Sequence, residues 1–252
     1  MALADDVATW IRTTVHDAKA EGVVIGLSGG IDSAVAAALA QRALPGHVLC
    51  AILPCESNPL DAELAHLVAS TFHIETVELD LAAPYQAFMA LLPDGPPTVK
   101  ANIKPRLRMI ALYYLAASRK YLVCGASNRS ELSIGYFTKH GDGAADLLPI
   151  GNFLKFEVRQ LAKDLRIPQR IVDRVPTAGL WPGQTDEVDM GMSYGQLDTA
   201  LRALDHKDFT AVPGPAIARV RQMMQVSAHK RALAPIFRPR PRAGGPPPLP
   251  TP

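Results

Sequence analysis

Cysteine is scarce: Cys50, Cys55 and Cys124 are the only three in 252 residues. Their odd number and their scatter argue against a disulfide framework. With no C-x-x-C pair there is no thiolate zinc site to expect either, so reduced, buried thiols are predicted. Long apolar runs are missing too, since none approaches the roughly 20 residues that cross a bilayer. The opening MALADDVATW carries acids where a secretory leader would carry basic residues and an apolar stretch. A soluble, cytoplasmic chain with no membrane partner is expected.

A strong net charge is also absent. The formal +2 conceals an asymmetry, because Lys230, Arg231, Arg238, Arg240 and Arg242 stand beyond His229 with no acid among them. Setting those five aside from the 26 leaves 21 basic against 24 acidic residues, a net of −3 on the body. Recognition of nucleic acid needs a basic stripe on the folded domain, so no nucleic-acid partner is expected. The last 18 residues, PIFRPRPRAGGPPPLPTP, hold eight prolines and cannot form a helix or a central strand. The expectation is one domain over residues 1–237, followed by a proline-rich, disordered tail at 238–252.

What is present is an alternation of apolar strand-like runs with helical patterns. That is the order of an α/β fold with a doubly wound parallel sheet flanked by helices. An amphipathic segment near 3–20 leads into a strand at 23–28, and DSAVAAALAQRAL gives a helix over 32–44. A second strand is predicted at 47–54, then a helix capped by Ser57 or Asn58 with Pro59 in its first turn, then a third strand at 74–81. A short helix, a proline-rich loop at 93–97, a long helix over 100–119 and a fourth strand at 121–126 follow. All four strands are expected to be buried on both faces. Beyond residue 127 comes a glycine- and aspartate-rich loop at 136–152, and then a mainly helical C-terminal part with an ordered loop at 176–190.

Directly after the first strand, residues 26–33 read GLSGGIDS, a phosphate cradle without the lysine of a Walker loop. Gly26, Gly29 and Gly30 let the chain turn sharply, and the backbone N–H groups and the positive end of the helix dipole then aim at one point. Ser28 and Ser33 add hydroxyl donors. Asp32 would repel a phosphate unless a cation lay between them, which makes it a candidate Mg²⁺ ligand. A bare GGxxS would be an ordinary strand-to-helix turn; the full S-G-G-x-D-S string after a strand is far more specific.

Ser28-Gly29-Gly30-Ile31-Asp32-Ser33 resembles the pyrophosphate loop of the N-type ATP pyrophosphatases, which split ATP into AMP and pyrophosphate to activate a carboxylate, carbonyl or base oxygen. Three later stretches resemble the NAD synthetases within that superfamily, and the likeness covers roughly residues 5–237. In NIKPRLRMIALYYLA, 102–116, Arg106 and Arg108 sit two apart. Paired guanidinium groups suit an anion, although RxR by itself is better read as a solvated basic turn. The string GASNRSELSIGYFTKHGDGAADLLPIGNFLK, 125–155, gathers Glu131, Tyr136, Phe137, Lys139, Asp142 and Asp146 just past the fourth strand. Ligands of parallel sheets bind at such carboxyl ends, so Glu131 could share a metal with Asp32. VPTAGLWPGQTDE, 175–187, is similar to the family's mobile loop, and His229-Lys230 matches its substrate-contacting pair. Ala126 departs from the pattern by standing where threonine is common, leaving a backbone group, a water or Ser127 to replace that hydroxyl.

The resemblance implies an adenine-nucleotide-α-hydrolase-like, Rossmann-like fold, with ATP on Gly26, Leu27, Ser28, Gly29, Gly30, Ile31, Asp32, Ser33, Lys155 and Thr177. It makes Asp32 and Glu131 the Mg²⁺ ligands. Arg106, Lys139, Asp146, His229 and Lys230 become contacts of deamido-NAD, and the family's short members are homodimers with the substrate site across the subunit boundary. The implied reaction adenylates the nicotinic acid carboxylate, releases pyrophosphate, and lets ammonia displace AMP to give NAD. Asp32 and Lys155 are the catalytic candidates at the phosphates, and Asp142 is the candidate that takes the proton of ammonium. About 22 residues precede the first strand, too few for a glutamine-hydrolysing domain, so free or partner-delivered ammonia is expected. A tRNA-thiolating enzyme would share the first loop but need paired cysteines or a basic module. A nucleotide sensor without turnover would lack the two acids.

Overall fold

In the computed structural model, which describes residues 2–210 and 212–237, four short strands form one parallel sheet among the described residues. They are β1 (Gly22–Gly26), β2 (Val48–Ile52), β3 (Glu75–Glu78) and β4 (Tyr121–Cys124), in the order β3-β2-β1-β4. Val23 of β1 lies in register with Val48 on one side and Leu122 on the other. The helices in chain order are α1 (Ala2–Asp17), α2 (Ile31–Ala43), α3 (Pro59–Thr71), α4 (Ala82–Leu91), α5 (Pro97–Ala101), α6 (Ile103–Arg119) and α7 (Arg129–Ile134). They continue as α8 (Lys155–Asp164), α9 (Gln169–Val172), α10 (Asp186–Met190), α11 (Tyr194–His206) and α12 (Gly214–Val226).

The period-2 alternation of the strands assigns their side chains to two layers. Val23, Ile25, Cys50 and Ile52 face a core shared with α1, α2, α3 and α8, while Val24, Leu49, Ala51 and Val123 face α6 on the opposite side. Burying a side chain such as Ile25 completely is worth on the order of 2–3 kcal/mol. A third cluster joins α11 and α12 to Ile134 and Leu154. The doubly wound expectation therefore holds, as does the mainly helical C-terminal part. Asn58 is the cap of α3, its side chain accepting from the Leu60 N–H at 3.0 Å, with Pro59 in the first turn.

Three expectations need correction. The edge strands are not buried on both faces: in β3, which pairs only with β2, Glu75, Thr76 and Glu78 are exposed, and in β4 at the other edge Tyr121 and Leu122 are half-buried. The long helix near 100–119 is broken at Asn102 into α5 and α6, whose side chain bonds back to the Thr98 carbonyl. The loop at 176–190 ends in a helical turn, α10. The tail predicted at 238–252 lies outside the described residues.

All three thiols are free and buried, and burial pushes Cys50 up to about 12 and Cys124 further still. At pH 8 the Cys50 thiolate is then about one part in ten thousand. An aromatic disulfide reagent at pH 8 should titrate no thiol of the native protein within minutes and all three after denaturation. Prompt labelling of Cys50 or Cys124 would contradict this packing.

Candidate active site

The sheet order reverses at β1, which has β2 on one side and β4 on the other, and the crevice beyond the carboxyl ends of these strands is where a doubly wound sheet binds ligands. A cavity of about 740 Å³ opens there, within the size range of small-molecule sites. The turn from β1 to α2 forms part of its wall. Gly29 adopts φ +73°, and a Cβ at that position would collide with the Asp61 carbonyl of α3, so the close approach requires glycine. The serines pre-shape the turn: Ser33 Oγ donates to the Gly30 carbonyl at 3.0 Å and accepts from the Ser28 N–H at 3.2 Å, while Ser28 Oγ accepts from the Gly30 N–H at 3.3 Å.

Asp32 projects from the first turn of α2, and Glu131 from the first turn of α7. Their carboxylates converge on one ammonium group. Lys155 Nζ donates to Asp32 Oδ2 at 2.5 Å and to Glu131 Oε1 at 3.4 Å. Lys155 begins α8 and is only 1 % exposed. Burial alone would lower its pKa, but the fields of Asp32 and Glu131 outweigh it and hold the amine well above its usual value. Burial raises the Glu131 carboxyl above the usual carboxylate range, with Lys155 opposing. Asn128 ties the two acids together: it closes a capping box with Glu131, and its Nδ2 donates to Asp32 Oδ1 at 3.0 Å.

Behind this triad stands Tyr194, whose ring lies 4.5 Å from Lys155 Nζ. Its hydroxyl is 2.9 Å from both Glu131 Oε1 and Asp186 Oδ2, offering one proton between two carboxylates. The Tyr136 hydroxyl likewise stands 3.1 and 2.8 Å from Asp186 Oδ1 and Asp189 Oδ2, again one proton between two carboxylates. Burial raises both phenols far above the ordinary value, so they remain donors at neutral pH. The 176–190 loop is thereby fastened to the acids it covers.

Asp32 and Glu131 form a hard-oxygen pair of the kind that Mg²⁺ uses when it binds through one or two carboxylates and completes its shell with phosphate and water. Among the described residues no cluster of three or more His, Cys, Asp or Glu could hold a metal by itself. The donor set fits a metal that arrives with a nucleotide.

The cavity brings together the 26–33 loop, Glu131, Asp142, Lys155, Thr177 and Lys230. Asp142 opens onto the cavity and accepts from the Thr138 N–H at 2.9 Å, and the surrounding protein raises its pKa. Thr177 Oγ1 accepts from the Gly179 N–H at 3.1 Å. Lys230 donates to the Gly135 and Phe137 carbonyls at 2.8 and 2.9 Å. Four predicted substrate contacts do not line this cavity. Arg106 donates to the Lys139 carbonyl at 3.3 Å and Lys139 to the His229 carbonyl at 2.6 Å, so these three form a basic strip beside the opening. Asp146 accepts from the Val123 N–H of β4 at 2.7 Å. Arg108 does line the cavity, bound to the Leu53 carbonyl and Ser57 Oγ, each at 2.9 Å.

Sequence reasoning missed Asn128, Tyr194 and Arg174, the last of which borders the cavity and donates to the Gly29 carbonyl at 3.2 Å. Asn128 carried a signal, since N-R-S-E has the spacing of a capping box. The other two reach the site from far along the chain with no local pattern.

Known proteins match this arrangement over nearly its whole length. The family model described as NAD synthase matches residues 3–234. The NH(3)-dependent NAD(+) synthetase of Carboxydothermus hydrogenoformans is 43 % identical in a 238-residue match that covers 91 % of this chain and 94 % of that one. Among solved structures, NMN synthetase from Francisella tularensis superposes with a TM-score of 0.86 at 39 % identity, covering 94 % of this chain and 97 % of its own. The NH3-dependent NAD synthetase from Campylobacter jejuni subsp. jejuni gives 0.82 at 30 % identity, covering 94 % and 98 %. A glycine loop, two acids and a buried lysine at the switch point of the sheet, on a chain matched from residue 3 to residue 234, make this protein a member of the NAD synthase family.

Proposed function

We propose that the chain is an ammonia-dependent ligase that amidates deamido-NAD to NAD at the expense of ATP, through an adenylated carboxylate. The observation that carries this reading is the convergence of Asp32, Glu131 and Lys155 beside the glycine loop in one cavity. A carboxylate is a poor acyl donor because oxide would have to leave; adenylation replaces that leaving group with AMP. The nicotinic carboxylate attacks the α-phosphorus, pyrophosphate departs into the 26–33 loop, and ammonia displaces AMP. Asp32 and Glu131 would hold Mg²⁺, which when bound neutralises charge on the phosphates. Lys155 adds a fixed positive charge, and Thr177 borders the nucleotide. Asp142, its pKa raised by desolvation, is the better for it as acceptor of the proton that ammonium must lose.

The dinucleotide would extend from the cavity over Lys230 onto the strip of Arg106, Lys139 and His229, with Asp146 nearby. An exposed apolar face supports a homodimer that completes this site: α4 buries none of its own residues, and Leu91, Ile110 and Tyr114 are 80, 59 and 73 % exposed. No helix among the described residues is long and apolar enough to cross a membrane.

One observation favours a second reading. The Francisella tularensis structure with the TM-score of 0.86 is an NMN synthetase, so the acid amidated could be the mononucleotide. The purified protein, given ATP, Mg²⁺, deamido-NAD and ammonium, should form NAD and AMP in equal amounts, and glutamine should not replace ammonium. Nicotinic acid mononucleotide as the sole acceptor should react more slowly. Absence of ammonium-dependent NAD would overturn the main reading, and faster turnover of the mononucleotide would install the second.

A further inference from the structure

The phosphate loop has no lysine of its own, and its substitute is sought among the cations of the cavity wall. Lys155 reaches the loop only through the Asp32 carboxylate and also serves Glu131. Arg108 is committed to the Leu53 carbonyl and Ser57 at the end of β2, and Lys230 to two carbonyls across the cavity. Arg174 is different. It follows α9, lies at the root of the 176–190 loop, and borders the same cavity as Ser28 and Ser33. Its Nη1 donates to the Gly29 carbonyl at 3.2 Å, and its Nη2 to Asp61 Oδ1 in the first turn of α3. The side chain is 17 % exposed, toward the cavity.

Two consequences follow from these contacts. The bond to the Gly29 carbonyl fixes the peptide at the turn whose φ of +73° shapes the cradle. A guanidinium has five N–H donors, and these contacts engage only some of them, leaving others for a second anion. Asp61 offsets part of the charge while the site is empty of phosphate, and so keeps the guanidinium in place.

Resting on the ATP-splitting reading above, we propose that Arg174 is the cation that the GLSGGIDS loop lacks in its own sequence, and that it contacts the departing pyrophosphate. It lies within hydrogen-bond reach of the loop backbone, where a charge-assisted donor stabilises the leaving group as negative charge accumulates on it.

The test is product inhibition of the full-length enzyme by pyrophosphate and by AMP, measured separately on wild type and on R174M, R174K and D61N. One charge-assisted bond corresponds to roughly 10- to 100-fold in binding, so R174M should weaken inhibition by pyrophosphate by about that factor while inhibition by AMP stays within about twofold. R174K should recover part of the loss, because it restores the charge but not the fork. D61N should leave pyrophosphate inhibition unchanged or tighten it, since it frees the guanidinium. Unchanged pyrophosphate inhibition in R174M, or equal weakening for AMP and pyrophosphate, would reduce Arg174 to a structural clamp and overturn the proposal. So would a D61N enzyme that reproduces R174M. A wild-type enzyme that forms no AMP and pyrophosphate overturns the functional reading and this inference with it, an outcome distinct from an active wild type with an indifferent R174M.

Discussion

Asp32→Asn is expected to release neither AMP nor pyrophosphate at a measurable rate, a fall in kcat of at least about a thousandfold, while folding much as the wild type does. Asparagine keeps the shape and one carbonyl oxygen, so Lys155 still has an acceptor there and retains Glu131 and the face of Tyr194. The stability cost should therefore stay near 1–2 kcal/mol, the worth of a charged hydrogen bond exchanged for a neutral one. Catalysis has no such reserve. Without the Asp32 charge, Glu131 alone is left to hold a divalent cation, and Lys155 shifts its attraction from the phosphates to that single acid. AMP and pyrophosphate release on the folded variant, with a urea transition recorded alongside, is the measurement that decides. An Asp32→Asn enzyme within tenfold of wild type would remove Asp32 from the phosphate chemistry.

The parts of this site that could be read in the sequence are those built within one turn of chain. GLSGGIDS announces its own geometry, because its glycines, its serines and the start of α2 are contiguous. Glu131 was placed by its position just past β4. Direction was harder to read than charge: Arg106, Lys139 and Asp146 are present as expected, yet their side chains bind backbone groups outside the cavity, and His229 enters this strip through its carbonyl. Spacing along a chain reports which charges exist, not which way they turn once the loop folds. Tyr194 meets Glu131 across 63 residues and Arg174 meets Gly29 across 145, so no periodicity could pair them. Burial failed as an expectation at the two edges of the sheet: most clearly at β3, where ETVE carries charge, and partly at β4, where Tyr121 and Leu122 are half-buried.

Lys155→Met should be the most destabilising single change in the site, costing about 3–5 kcal/mol, and should leave no measurable activity. Methionine matches the volume of the lysine stem, so the loss cannot be charged to a cavity. What it leaves behind is two carboxylates, 19 and 14 % exposed, facing each other with the bridging cation gone. Neutralising them in the same chain, as Lys155→Met with Asp32→Asn and Glu131→Gln, should recover most of the lost stability and none of the activity. Urea unfolding is the readout, with the midpoint moving at unchanged slope. A Lys155→Met protein as stable as wild type would mean that the ammonium does not hold the acids together, and a triple variant no more stable than the single one would assign the loss to packing. Recovery of stability without activity would have a wider implication: neutral side chains could fill this space as well, so the charges are retained for what they do to phosphate. In the structure the cation that the two acids share is the Lys155 ammonium.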